Sequence, residues 1–182
     1  MSIVLRFVHN PSGPWLSRLL VHLILFQMRS PTGFSHVEAL TPDGFYIGAH
    51  STGVEKRPLG YDAGAAELRE QFLLLEVTDD QARTFYHYLN SPEVIGEPYG
   101  FWDILGFVFY FNAHKRHTVV CSALQTLALR ACGFFPHPLP MFAHKISVGM
   151  LELMLDRPDV RPIEGNRPEF LTHVNSEKPV TG

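Results

Sequence analysis

The sequence contains little cysteine and none of the short motifs that bind metals or phosphates or that activate a serine. Two of its 182 residues are cysteines, Cys121 and Cys132. Both fall in one predicted helix, whose rise keeps their Cα atoms too far apart for a disulfide. His-Glu-x-x-His, Cys-x-x-Cys, a Gly-rich loop ending in Lys-Ser or Lys-Thr, and Gly-x-Ser-x-Gly are all absent. These absences exclude a disulfide scaffold and predict an activity that needs neither a metal nor another cofactor.

Excess positive charge and long apolar runs are also missing. A formal net charge of -3 and a pI near 6.3 give no basic surface, so we expect no nucleic-acid partner. Arg18 and His22 interrupt the apolar run Trp15 to Met28, which is shorter than the roughly 20 residues of a bilayer span. No small-x-small cleavage pattern follows the run. We expect a core helix here, with a membrane-surface helix as the alternative, and neither a transmembrane segment nor a signal peptide. The predicted location is the cytoplasm or a phage-like particle.

The apolar content is high enough for the core of one domain. Hydrophobic residues make up 46% of the chain and aromatic residues 12%. Alternating apolar residues and turn signals predict an antiparallel sheet with strands Ser2 to Val8, Phe34 to Leu40, Phe45 to His50, Val54 to Leu59 and Gln71 to Val77. Helical spacing predicts helices from Pro14, from Thr78 to Asn90, from Phe101 to Phe111, from Cys121 to Gly133 and from Ser147 to Leu155. We predict a single α+β domain over residues 1–163, in which this sheet packs against helices. The proline-rich, polar residues 164–182 predict a weakly ordered tail.

Cys121 is the strongest candidate for a catalytic residue. It opens the amphipathic helix CSALQTLALRACG, directly after the apolar pair Val119 and Val120. A thiol in the first turn of a helix lies near the positive end of the helix dipole and near backbone N–H groups without helical partners, which favours the thiolate. The sequence therefore predicts that Cys121 is a nucleophile, whereas Cys132 is predicted to be a small buried packing residue.

A possible base lies in the predicted strand FSHVEAL. His36 and Glu38 are two residues apart, and side chains two apart on a strand share a face. The two can therefore point into the same cleft as a base and a carboxylate that orients it. The alternative for Glu38 is an ordinary solvent-facing strand position.

The order of these parts resembles a known family. Ser-His-Val-Glu in one strand, Gly-Ala in the next, a Gly-Val strand, Pro-Tyr, and Cys-Ser at a helix start follow one another in the chain. This order is similar to that of the circularly permuted NlpC/P60 group of papain-like cysteine hydrolases, the YiiX/YebB-like enzymes, in which the histidine strand precedes the cysteine helix. The resemblance spans roughly Phe34 to Leu151 and implies a permuted papain-like fold.

The resemblance also implies roles for individual residues. It makes Cys121 the nucleophile and His36 the general base, and it places Tyr99, which follows a proline, beside the active site; a core aromatic is the alternative for Tyr99. The sequence departs from the family at a Glu-Ala motif of the second strand, which here is Gly48-Ala49. Glu38 is the substitute candidate for the orienting residue and His50 the reserve.

These residues predict a thiol hydrolase with a peptide or acyl substrate. Cys121 would attack a carbonyl, His36 would protonate the leaving group, and backbone N–H groups at the helix start, beside Ser122, would hold the oxyanion. The resemblance implies peptidoglycan stem peptides as a substrate class. The alternatives are a lipid-directed acyltransferase or acyl hydrolase, and an inactive binding or structural module of the same fold.

Overall fold

The computed structural model of the protein describes residues 2–9, 33–65, 68–100, 118–135 and 142–163. In chain order, the strands are β1 (Ser2–His9), β2 (His36–Leu40), β3 (Phe45–His50), β4 (Gly53–Pro58), β5 (Arg69–Glu76) and β6 (Val160–Pro162). The helices are α1 (Asp79–Leu89), α2 (Cys121–Ala131) and α3 (Val148–Met154), with a short 3-10 turn at Ala143–Lys145. The predicted helices that begin at Pro14 and Phe101, and the predicted tail, lie outside the described residues.

The six strands form one antiparallel sheet in the order β4-β3-β2-β1-β5-β6. The hairpins from β2 to β4 follow the chain, as expected from the turn signals between them. The first strand lies inside the sheet, between β2 and β5, and its register places Arg6 opposite Glu38. This cross-strand pair brings together two charged residues that are far apart in the sequence.

Helices cover one face of the sheet and form the main core with it. From β1, Ile3, Leu5 and Phe7 point into this core, and all three are fully buried. They meet the apolar faces of α1 and α2, which pack against each other as well as against the strands. Burial of this apolar surface is the main favourable contribution to folding.

The opposite face of the sheet carries the polar site. Val4, Leu40 and Tyr46 form a second, smaller apolar cluster there. Arg6 lies on the same face and is fully buried, with its guanidinium 4.6 Å from the centre of the Tyr46 ring. This small cluster shields the polar residues from water on one side.

The fold class and most secondary-structure predictions for the described part are confirmed. The α+β class and the antiparallel sheet are as expected, and α1 begins with the predicted capping box between Thr78 and Gln81. Strand β6 was not predicted, because its three residues end in Pro162 within a proline-rich stretch. In the described part of the chain, no helix is long and apolar enough to cross a membrane.

Candidate active site

Cys121 is the first residue of α2 and is 4% exposed. Val120 precedes it in extended conformation, and no described side chain caps this helix end. The hydroxyl of Ser122 donates a 2.6 Å hydrogen bond to the Ile146 carbonyl, which fixes the helix start against the segment before α3. The thiol is therefore held at the positive end of the helix dipole, without a side-chain acceptor that competes for the backbone N–H groups.

His36 meets this thiol. Burial opposes a low pKa for the Cys121 thiol, but the charge of His36 and hydrogen bonds from His36 and from the N–H groups of Val37 and Ser122 lower it. Burial alone would lower the pKa of His36, but its interactions with Cys121 and Glu38 raise it to about 10. Each group thus favours the charged form of the other, as in a thiolate–imidazolium pair.

The ladder between β2 and β3 ends before it reaches the histidine. Ladder pairing between β2 and β3 covers only Ala39 with Ile47 and Leu40 with Tyr46. Toward its first residue, His36, β2 is no longer paired with β3, and the N–H of Val37 is directed to the Cys121 sulfur instead. The start of α2, which lies on the helix-covered side of the sheet, therefore contacts a side chain from the polar side.

Glu38 lies beside His36 on the same strand. It is fully buried, so the alternative of a solvent-facing strand residue is wrong. Its Oε2 lies 3.7 Å from Nε2 of His36 and accepts a 3.2 Å hydrogen bond from the hydroxyl of Tyr61. Since Nε2 of His36 points toward Glu38, Nδ1 is the ring nitrogen left to face Cys121. Burial opposes a low pKa for Glu38, but His36 and Arg6 lower it, so this carboxyl carries a negative charge.

Arg6 anchors Glu38, and sequence reasoning missed it. Its Nη1 lies 2.5 Å from Oε1 of Glu38, and its Nη2 lies 2.8 Å from Oδ2 of Asp62. Nη2 also lies 2.6 Å from Oε2 of Glu70, to which Nε donates a 2.7 Å hydrogen bond. The guanidinium therefore holds one oxygen of Glu38 in place and leaves the other directed toward the histidines. The lone charge in an otherwise apolar strand was the available sequence signal.

Gly48 leaves room for the side chains that meet on this face of the sheet. A Cβ at Gly48 would lie 3.0 Å from the Cβ of Glu38, 3.3 Å from Nε2 of His36 and 3.4 Å from Nε2 of His50. The space that a side chain at Gly48 would fill is therefore taken by these three side chains. Gly48 is the position at which the sequence has no glutamate, and the carboxylate beside the two histidines belongs to Glu38 of the neighbouring strand.

His50 lies at the end of β3, on the other side of the same carboxylate. Its Nε2 is 3.7 Å from Oε2 of Glu38, and its ring centre is 4.8 Å from that of His36. Burial, together with the positive charges of His36 and Arg57, lowers the pKa of His50 to about 3. His50 is therefore a neutral imidazole beside the charged pair.

Tyr99 also lies close to the thiol. It forms a bridge with Val119, and backbone hydrogen bonds join Val119 to Pro98 (3.1 Å) and to Gly100 (2.9 Å). Burial and the charge of Cys121 raise the pKa of Tyr99, which keeps its hydroxyl protonated and able to donate. Its ring packs against the core as well, so the active-site and core interpretations of this residue are compatible.

Three side chains of the site could also hold a metal ion. One ligand atom from each of His36, Glu38 and His50 lies within 4.8 Å of the others. The two imidazoles come from neighbouring strands, so no local sequence motif signals the set. The sequence motifs considered above could not have found it.

Comparison of the chain with protein-family models, with curated proteins and with solved structures finds no match. The geometry around Cys121 therefore carries the functional argument.

Proposed function

We propose that the protein is a thiol hydrolase that cleaves an amide or related acyl bond through an acyl-enzyme. The observation that carries this proposal is the contact of Cys121, at an uncapped helix start, with His36, which faces the anchored carboxylate of Glu38 on its other side. Nucleophile, base and orienting group thus stand in the order that acyl transfer through a thiol requires.

The reaction follows from this arrangement. The sulfur of Cys121 attacks the carbonyl carbon, and the carbonyl π electrons move to the oxygen, which backbone N–H groups of the first turn of α2 stabilise. As the tetrahedral species collapses, the bond to the leaving group breaks and His36 gives its Nδ1 proton to that group. His36 then removes a proton from water, whose oxygen attacks the acyl carbon and releases the acid and the thiolate. The hydroxyl of Tyr99 is a further donor near the sulfur.

The resemblance to permuted NlpC/P60 enzymes supports peptides of the peptidoglycan-stem type as the first substrates to test. Acyl lipids are the second class, because permuted papain-like enzymes also include lipid-directed acyltransferases. The same Cys121 and His36 chemistry serves both classes, since only the leaving group differs. The fold class and the site geometry do not depend on which class is cleaved.

The test compares the two cysteines. Cys121 and Cys132 are similarly buried, 4% and 7% exposed, so access to reagents is closely matched. We expect iodoacetamide to alkylate Cys121 at least about tenfold faster than Cys132, because only Cys121 contacts an imidazole at a helix start. Peptide mass spectrometry of one sample measures both rates.

Hydrolysis is then assayed on muropeptides and on acyl lipids. We expect Cys121→Ala to lower the rate at least about a thousandfold and Cys132→Ala to leave it within about twofold of wild type, since only the first change removes the nucleophile. Turnover that survives Cys121→Ala, or equal alkylation of the two cysteines, would contradict the proposal.

A further inference from the structure

The proposed hydrolysis uses His36 and Glu38 but has no task for His50. The His50 side chain is 9% exposed, and no described group forms a hydrogen bond with its Nε2. Nε2 of His36 likewise has no hydrogen-bond partner among the described residues, and both nitrogens point at the same oxygen of Glu38. Two buried imidazole nitrogens that converge on one carboxylate oxygen are unusual, because buried polar atoms normally have partners.

We propose that His36, Glu38 and His50 form a binding site for a divalent transition-metal cation of the zinc class, and that a bound cation switches the thiol hydrolase off. This inference deepens the proposed function. The inhibitory effect rests on that function, whereas metal binding by the three residues does not depend on it.

The donor set and its spacing suit such a cation. Zinc binds imidazole nitrogen and carboxylate oxygen at roughly 2.0–2.2 Å, so tetrahedral donors lie about 3.3 Å apart. Oε2 of Glu38 lies 3.7 Å from each Nε2, and all three donor atoms lie within 4.8 Å of one another. Side-chain shifts of a few tenths of an ångström bring each nitrogen–oxygen pair to that spacing, and the two nitrogens, up to 4.8 Å apart, approach each other by up to about 1.5 Å through rotation of the rings. Two imidazoles and one carboxylate with an open fourth position form a known type of zinc site.

The surroundings hold the three donors in place. Arg6 fixes Oε1 of Glu38, and Tyr61 donates to one lone pair of Oε2, which leaves a second lone pair for a cation. Of the cations near His50, Arg57 is paired with Glu55 at 3.0 Å. The negatively charged Glu38 thus faces two imidazole nitrogens. Each of these nitrogens can offer a lone pair to a cation when its ring is neutral.

Cys121 is not one of the proposed ligands. The metal would lie on the Nε2 side of His36, whereas the sulfur faces Nδ1, so the fourth position is left to water. The proposed site therefore differs from ordinary binding of a metal by a reactive thiolate, in which the sulfur itself is a ligand.

A bound cation would stop turnover through His36. Ligation at Nε2 displaces the proton there and leaves the ring one proton, on Nδ1. Transfer of that proton to a leaving group would turn the ring into a metal-bound imidazolate, which is far less favourable than formation of a neutral imidazole. His36 then serves neither as the acid of the first step nor as the base of the second.

The experiment measures metal binding directly and in the absence of the thiol. Chelator-treated Cys121→Ala protein is titrated with Co²⁺, followed by its visible absorption, and then with Zn²⁺ by calorimetry. We expect one ion per chain, as in wild type. His50→Phe keeps a ring of similar size between His36 and Tyr61, whose ring centres lie 4.8 and 5.9 Å from that of His50, but it removes the donor. We expect it to weaken binding at least about tenfold, whereas His87→Gln, at an exposed histidine of α1, leaves binding unchanged.

Folding and inhibition are checked alongside. Zn²⁺ should raise the melting temperature of wild type and of Cys121→Ala but not of His50→Phe or His50→Gln, because only a ligand that binds the native state stabilises it. Zn²⁺ should slow hydrolysis by wild type. Loss of binding in Cys121→Ala, or undiminished binding in both folded His50 variants, would overturn the site. If no substrate is cleaved but the ion binds as described, the hydrolase proposal alone fails.

Discussion

Arg6 fixes the position of Glu38 in the site. Its guanidinium is fully buried and contacts the carboxylates of Glu38, Asp62 and Glu70. A buried carboxylate without a compensating cation is costly, because neither water nor an opposite charge solvates it. Arg6 therefore makes it possible for Glu38 to be charged beneath His36 in the interior of the sheet.

Replacement of Arg6 should be far more destabilising than replacement of an ordinary arginine. We expect Arg6→Met to lower the free energy of unfolding by about 3–5 kcal/mol, because it leaves buried carboxylates without their cation. The double variant Arg6→Met with Glu38→Gln should recover part of that loss, since it removes one of these charges. Urea unfolding of the three proteins measures both effects.

Arg83 provides the matched control. It pairs with Asp80 on α1, and the two side chains are 70% and 87% exposed. Arg83→Met should cost less than about 1 kcal/mol, because exposed ion pairs contribute little. Equal costs for Arg6→Met and Arg83→Met would contradict the role given to the buried cluster.

The pairing of Cys121 with His36 could be predicted at this scale, but the contacts of Arg6 could not. Cys121 and His36 each stand in a local pattern, a helix start and an alternating strand, that indicates their chemistry. The contacts of Arg6 depend on the register of β1 against β2 and on the turn that carries Asp62. Such contacts between distant parts of the chain leave no periodic signal in the sequence.

Strand β3 shapes the site through a residue without a side chain. Gly48 faces Glu38 and both imidazoles. These side chains lie so close that a methyl group at Gly48 would fit only if they moved. Its φ is not in the left-handed region, so the requirement for glycine here is space and not backbone conformation. The close approach of β3 to β2 is thus what brings His50 beside His36.

We expect Gly48→Ala to impair catalysis more than folding. The new methyl group would displace His36 and Glu38 by a few tenths of an ångström, and misplacement of catalytic groups by about 1 Å costs roughly a hundredfold in rate. A loss of about ten- to a hundredfold in kcat/KM is therefore expected, with a stability cost of about 1–3 kcal/mol from overpacking. Steady-state kinetics and urea unfolding measure the two effects.

Gly64 is the matched control for this change. A Cβ at Gly64 would meet nothing within 4 Å, and its φ is also outside the left-handed region. Gly64→Ala should leave kcat/KM within about twofold of wild type and change stability by less than about 1 kcal/mol. Equal losses of activity in the two variants would show that the space around Gly48 is not the cause.

At the scale of elements, the sequence predicted what depends on local pattern. Alternation, turn signals and a short apolar run predicted β1 to β5, and Thr78 with Gln81 predicted the start of α1. It did not predict β6, which exists because residues 160–162 pair with the open edge of β5. It also did not predict that the β2–β3 ladder ends at Ala39, beyond which the N–H of Val37 is directed to the Cys121 sulfur.

At the scale of the whole molecule, the anchor of the site lies on the strands best protected from water. Arg6 and Glu38 belong to β1 and β2, which have a paired neighbour on both sides. The two edge strands of the sheet differ. The turn at Gly96 and Glu97 forms backbone hydrogen bonds with Val54 of edge strand β4. The other edge strand, β6, ends in a proline, which donates no hydrogen bond.

Native-state amide exchange should be slower in β1, inside the sheet, than at the β6 edge. We expect the amide of Leu5, inside β1, to exchange only by global unfolding, with a dependence on urea equal to that of the equilibrium transition. The Ile163 amide, which bonds to the Phe72 carbonyl at 2.9 Å where β6 meets β5, should exchange by local opening at least about a hundredfold faster. The order follows because β1 loses two neighbours when it opens, whereas β6 loses one. If Leu5 exchanged as fast as Ile163, β1 would not be a rigid support, and Arg6 could not hold Glu38 in the position that His36 requires.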